Sequence, residues 1–430
     1  MKKQNSFLKY LSALLLLPTV VWAQNYPKLS ITETKPATKY YRQYAALVEQ
    51  EATYQVQASS SFTSLAFRAT SGTDWTDTYL IVKQDTFRVS VEEHETANLP
   101  YSLSTLLVWD KPIQEFLLYT GQVQDDIVIS LFNAQASEVP QPALRWEQTT
   151  EDDVQCEKPA LITQEEWRTG LPAPSYQRAI TQVNHVIIHH SATFNSLTDY
   201  ENVVRNIYLF HTQDRGWSDI GYNFLIAPDG TLFEGRSAGE QNIESDNIRG
   251  AHFCGRNSGT MGVCLLGNYN TADPTDTALA TIERVTSWKL DKESLDPTAT
   301  NSHPTNNKLG IIAGHRDGCA TECPGENLYV RLASIRLNTE EQIAQDCREE
   351  PQVFNIYPIP NDGTLTVSLP QPDSTAYLDI IDLQGRTLSI PMVSEDASRF
   401  TVQTQVLPTG SYILRVTTSQ EVLTRKILVE

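Results

Sequence analysis

Hydrophobic and polar positions alternate with a period of two through much of the first third of this chain. Residues 78–82, Thr86-Phe87-Arg88-Val89-Ser90-Val91 and residues 126–132 show it, with Ser, Thr, Gly and Asp between the runs. Successive side chains of a strand leave opposite faces, so the pattern predicts half-buried strands, here an all-β sandwich over about residues 26–140. Beyond Glu138-Val139-Pro140-Gln141-Pro142 and the acidic run Glu151-Asp152-Asp153, both of linker type, the pattern changes. Residues 183–189 form a continuous apolar-rich run of the kind buried on both faces. Thr198 and Glu201 have capping-box spacing, and the helix they open puts Val203, Val204, Ile207 and Phe210 on one side. Residues 222–227 and 231–234 predict two strands joined by the Pro228-Asp229-Gly230 turn, and residues 262–267 another buried strand. Leu279, Ile282, Val285 and Trp288 recur at helical spacing, and residues 326–344 predict a third helix. The last eighty residues return to period two, with strands at 364–369, 377–382 and 411–417 and turns at 383–386 and 407–410.

These patterns predict a multidomain chain, as its 430 residues also do, since one hydrophobic core rarely serves so many. A β-rich domain at 24–145 precedes an α/β domain at 156–347, a mixed β-sheet flanked by helices. A C-terminal β-sandwich at 351–430 follows.

The first residues belong to none of these. Lys2 and Lys3 precede an apolar stretch from Leu11 to Val21, and Val21-Trp22-Ala23 leads into Gln24. That is the form of a secretory signal peptide, residues 1–23. Its apolar core is shorter than the ~18 residues that span a bilayer, and no later run reaches that length, so no transmembrane segment is expected in the mature chain. A formal charge of -19 argues against nucleic acid and anionic membrane surfaces as partners.

Six cysteines in an exported chain raise the question of disulfides. Cys156 and Cys347 bracket the α/β region and make one candidate pair; Cys254 and Cys319 make another. Cys264, inside an apolar run, reads as a buried inert thiol, and connectivity stays open at this level. Cys323 is the residue with chemistry in view. It follows His315 by eight positions in Gly314-His315-Arg316-Asp317-Gly318-Cys319-Ala320-Thr321-Glu322-Cys323-Pro324-Gly325, and His189 stands far upstream in Ile188-His189-His190-Ser191. Two imidazoles and a thiolate make a three-ligand Zn2+ site whose fourth position stays open, the catalytic rather than the structural pattern. His190, one residue on, points to the other face of its strand; neither it nor His185 is assigned to metal. His211 and His303 read as solvent-facing or incidental; Trp75 and Trp109 read as core or surface aromatics, with sugar binding as the alternative.

Several motifs in fixed order carry a resemblance. They are Ile188-His189-His190-Ser191-Ala192-Thr193, Gly216-Trp217-Ser218-Asp219-Ile220-Gly221-Tyr222-Asn223-Phe224, Asp229-Gly230 with Glu234-Gly235-Arg236, Gly250-Ala251-His252, Met261-Gly262-Val263 and the His315–Cys323 segment. The region resembles the zinc-dependent type 2 N-acetylmuramoyl-L-alanine amidases, which include peptidoglycan recognition proteins and phage amidases. The resemblance implies that His189, His315 and Cys323 bind zinc and that Tyr222 is the catalytic tyrosine. Thr321 falls where phage members have a lysine and many recognition proteins a threonine. Arg236 and His252 are expected to line the substrate groove, with structural roles as the alternative. The implied reaction is hydrolysis of the amide between N-acetylmuramic acid and L-alanine in peptidoglycan. Non-catalytic members commonly lack the cysteine, so Cys323 favours the enzyme over a recognition protein that binds muropeptide without turnover. A surface adhesin, with the N-terminal β-rich domain doing the main work, is the other alternative.

The C-terminal module resembles the type A sorting domain of type IX secretion substrates of Bacteroidetes-type bacteria. Tyr357-Pro358-Ile359-Pro360-Asn361-Asp362-Gly363, Leu407-Pro408-Thr409-Gly410-Ser411-Tyr412 and Lys426-Ile427-Leu428-Val429 carry the match, with Ile359 where Asn is more usual. It implies passage across the outer membrane through the type IX machinery, to the cell surface or beyond.

Overall fold

The computed structural model describes residues 25–430 apart from 71, 76, 93–99, 136–157, 176–177, 238–244, 348–353, 359–362, 370–371, 383–384, 420–421 and 430. The expected signal peptide, the linker, Cys156 and part of the Tyr357–Gly363 motif lie outside the described residues. Residues up to Cys347 pack as one compact unit and residues 348–430 as a second.

The first unit begins with a single antiparallel sheet of eight strands, not the two-sheet sandwich that the alternation predicted. Its order is Thr32–Glu33, Tyr41–Leu47, Asp126–Phe132, Thr53–Thr70, Leu107–Tyr119, Tyr79–Val82, Asp85–Arg88, with Tyr101–Leu103 also paired to Thr53–Thr70. The 18-residue strand Thr53–Thr70 explains the difference. It alternates in its first half but is continuously buried from Phe62 to Phe67. Leu65 and Phe67 face the sheet's own core, while Ala66 belongs to a second core on the opposite face. That second face is covered by a helix of the α/β region, Tyr200–Leu209, not by another sheet.

The second core removes the expected packing boundary between residues 24–145 and 156–347. Ala66, Leu103, Leu106, Val108 and Phe132 of the N-terminal sheet share it with Val203, Val204, Ile207, Phe210, Tyr222 and Cys264. Polar ties reinforce it: Thr63 Oγ1 and Ser64 Oγ both donate to Asn206 Oδ1, at 3.0 and 2.7 Å. Buried hydroxyls need such partners, because an unpaired one costs about 1–3 kcal/mol.

The α/β region is built on a five-stranded sheet, ordered Leu232–Glu234, Phe224–Ile226, Thr260–Leu265, His185–His190, Ile312–Gly314. The outermost pair is antiparallel and the others are parallel. All six residues of His185–His190 are buried, as the unbroken apolar run predicts for a parallel strand covered on both sides. Helix Asp276–Lys292 covers one face through Ile282, Val285 and Trp288; helix Tyr200–Leu209 covers the other. The cap of that second helix differs from the expected Thr198–Glu201 box. Thr198 is held instead by Asp110 of the N-terminal sheet, and Asp199 caps the helix by accepting from the Asn202 N–H at 3.1 Å. The predicted third helix is two, Glu326–Tyr329 and Leu332–Gln342.

The second unit holds two four-stranded antiparallel sheets with a common core of Leu365, Val367, Ile380, Val402, Leu414 and Ile427. It is the β-sandwich that period-two patterning predicts.

Candidate metal centre

Two segments distant in sequence, one holding His189 and the other His315 and Cys323, meet at the C-terminal ends of parallel strands. His189 is the penultimate residue of its strand, and His315 follows directly on the neighbouring strand Ile312–Gly314. Cys323 sits in the loop that leads to the next helix. Their ligating atoms lie within 4.8 Å of one another and all three residues are buried. His189 Nδ1 is 3.6 Å from Cys323 Sγ. A tetrahedral zinc with Zn–N near 2.0–2.1 Å and Zn–S near 2.3 Å sets its N and S ligands about 3.6 Å apart. The pair therefore fits a zinc ion without rearrangement. The backbone N–H of His190 points at Cys323 Sγ at 3.4 Å.

His252 holds the other side of His189. Its Nδ1 lies 3.0 Å from His189 Nε2, and its Nε2 lies 3.3 Å from the Thr260 hydroxyl. A Cβ at Gly250 or Gly262 would stand 2.4 or 2.6 Å from the His252 ring, so both positions must be glycine for the ring to fit. His252 also lines a narrow hollow with Tyr222 and Trp217. The ring is buried, with both nitrogens turned to protein partners, and it holds His189 in place. Arg236 is also mostly buried. Its guanidinium donates to the carbonyls of Ile220 and Arg249 at 2.7 and 3.0 Å, yet it also lines an open cleft of about 520 Å³ with Arg249 and Arg256.

Tyr222 packs on the metal-centre face of the sheet, its ring centroid 5.3 Å from that of His189. Burial pushes its phenol well above the usual range, with the neighbouring thiols Cys264 and Cys323 adding to the effect, so it stays a protonated donor. Thr321 lies beside Cys323, and its Oγ1 accepts the Cys323 N–H at 3.0 Å.

His190 turns to the opposite face, where its Nδ1 accepts the Tyr269 N–H at 3.2 Å. His185 is likewise apart from the His189, His315 and Cys323 group, with Nδ1 2.9 Å from the Gly310 carbonyl. His211 and His303, read as solvent-facing or incidental, are both buried. His211 accepts the Gly221 N–H and packs on Trp217, while His303 bonds Thr305 and the Ser258 carbonyl. A lone histidine in a polar stretch carries no burial signal, which is why sequence missed them.

Cys254 and Cys319 form a disulfide, and Cys264 and Cys323 are free among the described residues. Burial and the charge of Cys323 push the Cys264 thiol well up, in keeping with an inert thiol.

Comparison with known proteins gives the family. Residues 179–326 match the model described as N-acetylmuramoyl-L-alanine amidase. Peptidoglycan-recognition protein SC2 of Drosophila simulans is 31% identical over 171 residues, covering 39% of this chain and 82% of that protein. The chain belongs to the N-acetylmuramoyl-L-alanine amidase family, which includes the peptidoglycan-recognition proteins. The human N-acetylmuramoyl-L-alanine amidase is 30% identical over 155 residues, 34% of this chain and 24% of that protein. Drosophila peptidoglycan-recognition protein LB aligns in structure over 41% of this chain and 93% of its own, at 30% identity and a TM-score of 0.32. Residues 355–430 match the model described as a secretion system C-terminal sorting domain. The amidase domain thus carries a signal for export to the cell surface or outside the cell.

Proposed function

We propose that the protein is a zinc-dependent amidase that hydrolyses the bond between the lactyl group of N-acetylmuramic acid and L-alanine in peptidoglycan. The observation that carries this reading is the convergence of His189, His315 and Cys323 at zinc-ligand spacing against Tyr222. In functional terms we assign residues 1–23 to a signal peptide, 24–145 to a β-rich domain and 156–347 to the amidase domain. Residues 351–430 are the sorting domain, and the type IX machinery is the partner we assign to it.

An amide is a poor electrophile with a poor leaving group. His189, His315 and Cys323 would hold a zinc ion, which would supply Lewis acidity and a water whose pKa is lowered toward 7. The remaining work falls to side chains of this chain. The Tyr222 phenol, protonated throughout the working range, donates to the oxyanion that develops on the carbonyl, where one such donor is worth roughly 3 kcal/mol. The Thr321 hydroxyl, fixed by the Cys323 N–H, orients the attacking water or the carbonyl. His252 holds the ring of His189 in register. Arg236, Arg249 and Arg256 present positive charge along one side of the site, which suits the carboxylates of a stem peptide.

The test is digestion of purified peptidoglycan by the full chain, with and without a chelator, beside Cys323→Ala. New amino groups on L-alanine without new reducing ends, abolished by chelator and by the substitution, are expected. Tight binding with no released amine from zinc-loaded protein would sink the reading and leave a recognition protein.

A further inference from the structure

Two clefts lie near the metal centre, one lined by Gly250 and Ala251 next to His252 and the other by His190 and Glu322 next to His189 and Cys323, and they differ in both charge and origin. The cleft lined by Arg236, Arg249 and Arg256 is built by the amidase domain alone. The other, about 510 Å³, lies between that domain and the N-terminal sheet. Phe87, Arg88 and Ser90 form its wall on the sheet side. Phe194, Asn195 and Asn270 face them from loops of the amidase domain, and Glu322 brings the cleft to the residue beside Cys323.

The sheet is fixed in this position. Phe87 packs against Phe194 with ring centroids 4.8 Å apart, and Trp109 packs edge-on to Phe87 at 5.6 Å. Asp110 accepts hydrogen bonds from Thr198 and Asp199, and Asn202 Nδ2 donates to the Trp109 carbonyl at 3.0 Å. Glu92 and Leu106 line the same narrow hollow as Tyr222, His211 and Trp217. The N-terminal sheet is therefore a wall of the catalytic groove, not an appended module.

We propose that the second cleft is a glycan subsite, holding N-acetylated sugar units of the strand that bears the scissile amide. The inference rests on the amidase reading above. The scissile bond has sugar on one side and peptide on the other, so a substrate laid across the centre sends its glycan and its stem in opposite directions. Three guanidinium groups suit the carboxylated stem. The second cleft holds one guanidinium, Arg88, one carboxylate, Glu322, and one imidazole, His190, and is otherwise amide, hydroxyl, aromatic and aliphatic. Uncharged sugars with hydroxyl and acetamido groups match that lining, with ring faces against Phe87 and Phe194. Its size lies within the roughly 300–1,000 Å³ of small-ligand pockets.

The test compares two substrates of the full chain, polymeric peptidoglycan and a muramyl peptide with a single sugar. Phe87→Ala removes an aromatic face. Ser90→Trp and Ser196→Trp fill the cleft from exposed positions on its two sides, and so do not depend on the fate of the core. The preference for polymer over single-sugar substrate, as a ratio of kcat/KM, should fall roughly 3- to 10-fold in each variant. Peptide-free glycan strands should inhibit the wild type competitively and the Trp variants less. An unchanged ratio in both Trp variants, with unchanged inhibition by glycan, overturns the subsite. Should the wild type hydrolyse neither substrate, the amidase reading fails. Calorimetric binding of peptide-free glycan to the wild type but not to Ser90→Trp would then still uphold the subsite, and equal binding or none would reject it.

Discussion

His189 Nε2 lies 3.0 Å from His252 Nδ1, and this contact decides which nitrogen of His189 faces Cys323. A neutral imidazole has one donor and one acceptor. With Nδ1 of His189 given to metal, Nε2 carries the hydrogen and donates it to His252. His252 then donates from its own Nε2 to the Thr260 hydroxyl. Burial first, then the charges of Arg236 and His303, push His252 down to about 3, so it remains a neutral acceptor in ordinary buffers. His252→Ala should weaken zinc binding about 10- to 100-fold. Competition with a chromophoric chelator measures this, and wild-type affinity in a folded variant would refute the positioning role.

Arg68 and Asp214 tie the N-terminal sheet to the Phe210–Asp214 segment that follows helix Tyr200–Leu209. Arg68 is paired at 2.6 Å with an Asp214 carboxylate that has no solvent exposure, and Tyr41 donates to the same carboxylate at 3.3 Å. Removing one partner of a buried pair leaves the other charge uncompensated, a cost of about 3–5 kcal/mol. Asp214→Ala should lower urea stability by that amount. The Arg386–Asp382 pair makes the contrast, because its arginine is 74% exposed. Arg386→Ala should cost at most about 1 kcal/mol. Similar losses in the two variants would contradict the assignment.

The grouping of His189, His315 and Cys323 was legible because its signals are local: a buried strand with His189 near its end, and an eight-residue interval from His315 to Cys323. The role of His252 was not, since it depends on Gly250 and Gly262 opening space from separate segments. The fusion of the sheet to the amidase domain did leave a trace. Phe62-Thr63-Ser64-Leu65-Ala66-Phe67 breaks the alternation with six residues that carry no charge, the same signature of two-sided burial that identified residues 183–189. Thr198 was misread as a cap because its actual partner, Asp110, lies 88 residues away.

Cys254 and Cys319 close a loop with a sequence separation of 65 next to His315. Constraining a loop of that size in the unfolded chain is worth about 4 kcal/mol on the chain-entropy model. The double variant Cys254→Ser, Cys319→Ser should lose up to that much, and reductant should lower the wild-type melting temperature toward the variant's. A wild type and a double variant with equal melting points under oxidising conditions would count against it.

Glu201 supplies a pH dependence that is separate from the metal centre. Burial raises its carboxyl to about 7, with Asp199 adding and Arg205 opposing. The unfolded carboxyl titrates near 4.3. Below that value both states are protonated and the group contributes nothing to the balance. As pH rises from about 4.3 to 7 the unfolded chain releases its proton first, so stability falls through this window and stays lower above it. Glu201→Gln removes the titration. Arg205 keeps its hydrogen bonds to the Ala134 and Thr169 carbonyls at 2.8 and 3.0 Å, so its guanidinium does not depend on Glu201 alone. The melting temperature of Glu201→Gln relative to wild type should therefore climb between about pH 4.3 and 7 and level off at pH 8. A difference that is constant from pH 4 to pH 8 would show that Glu201 titrates alike in both states.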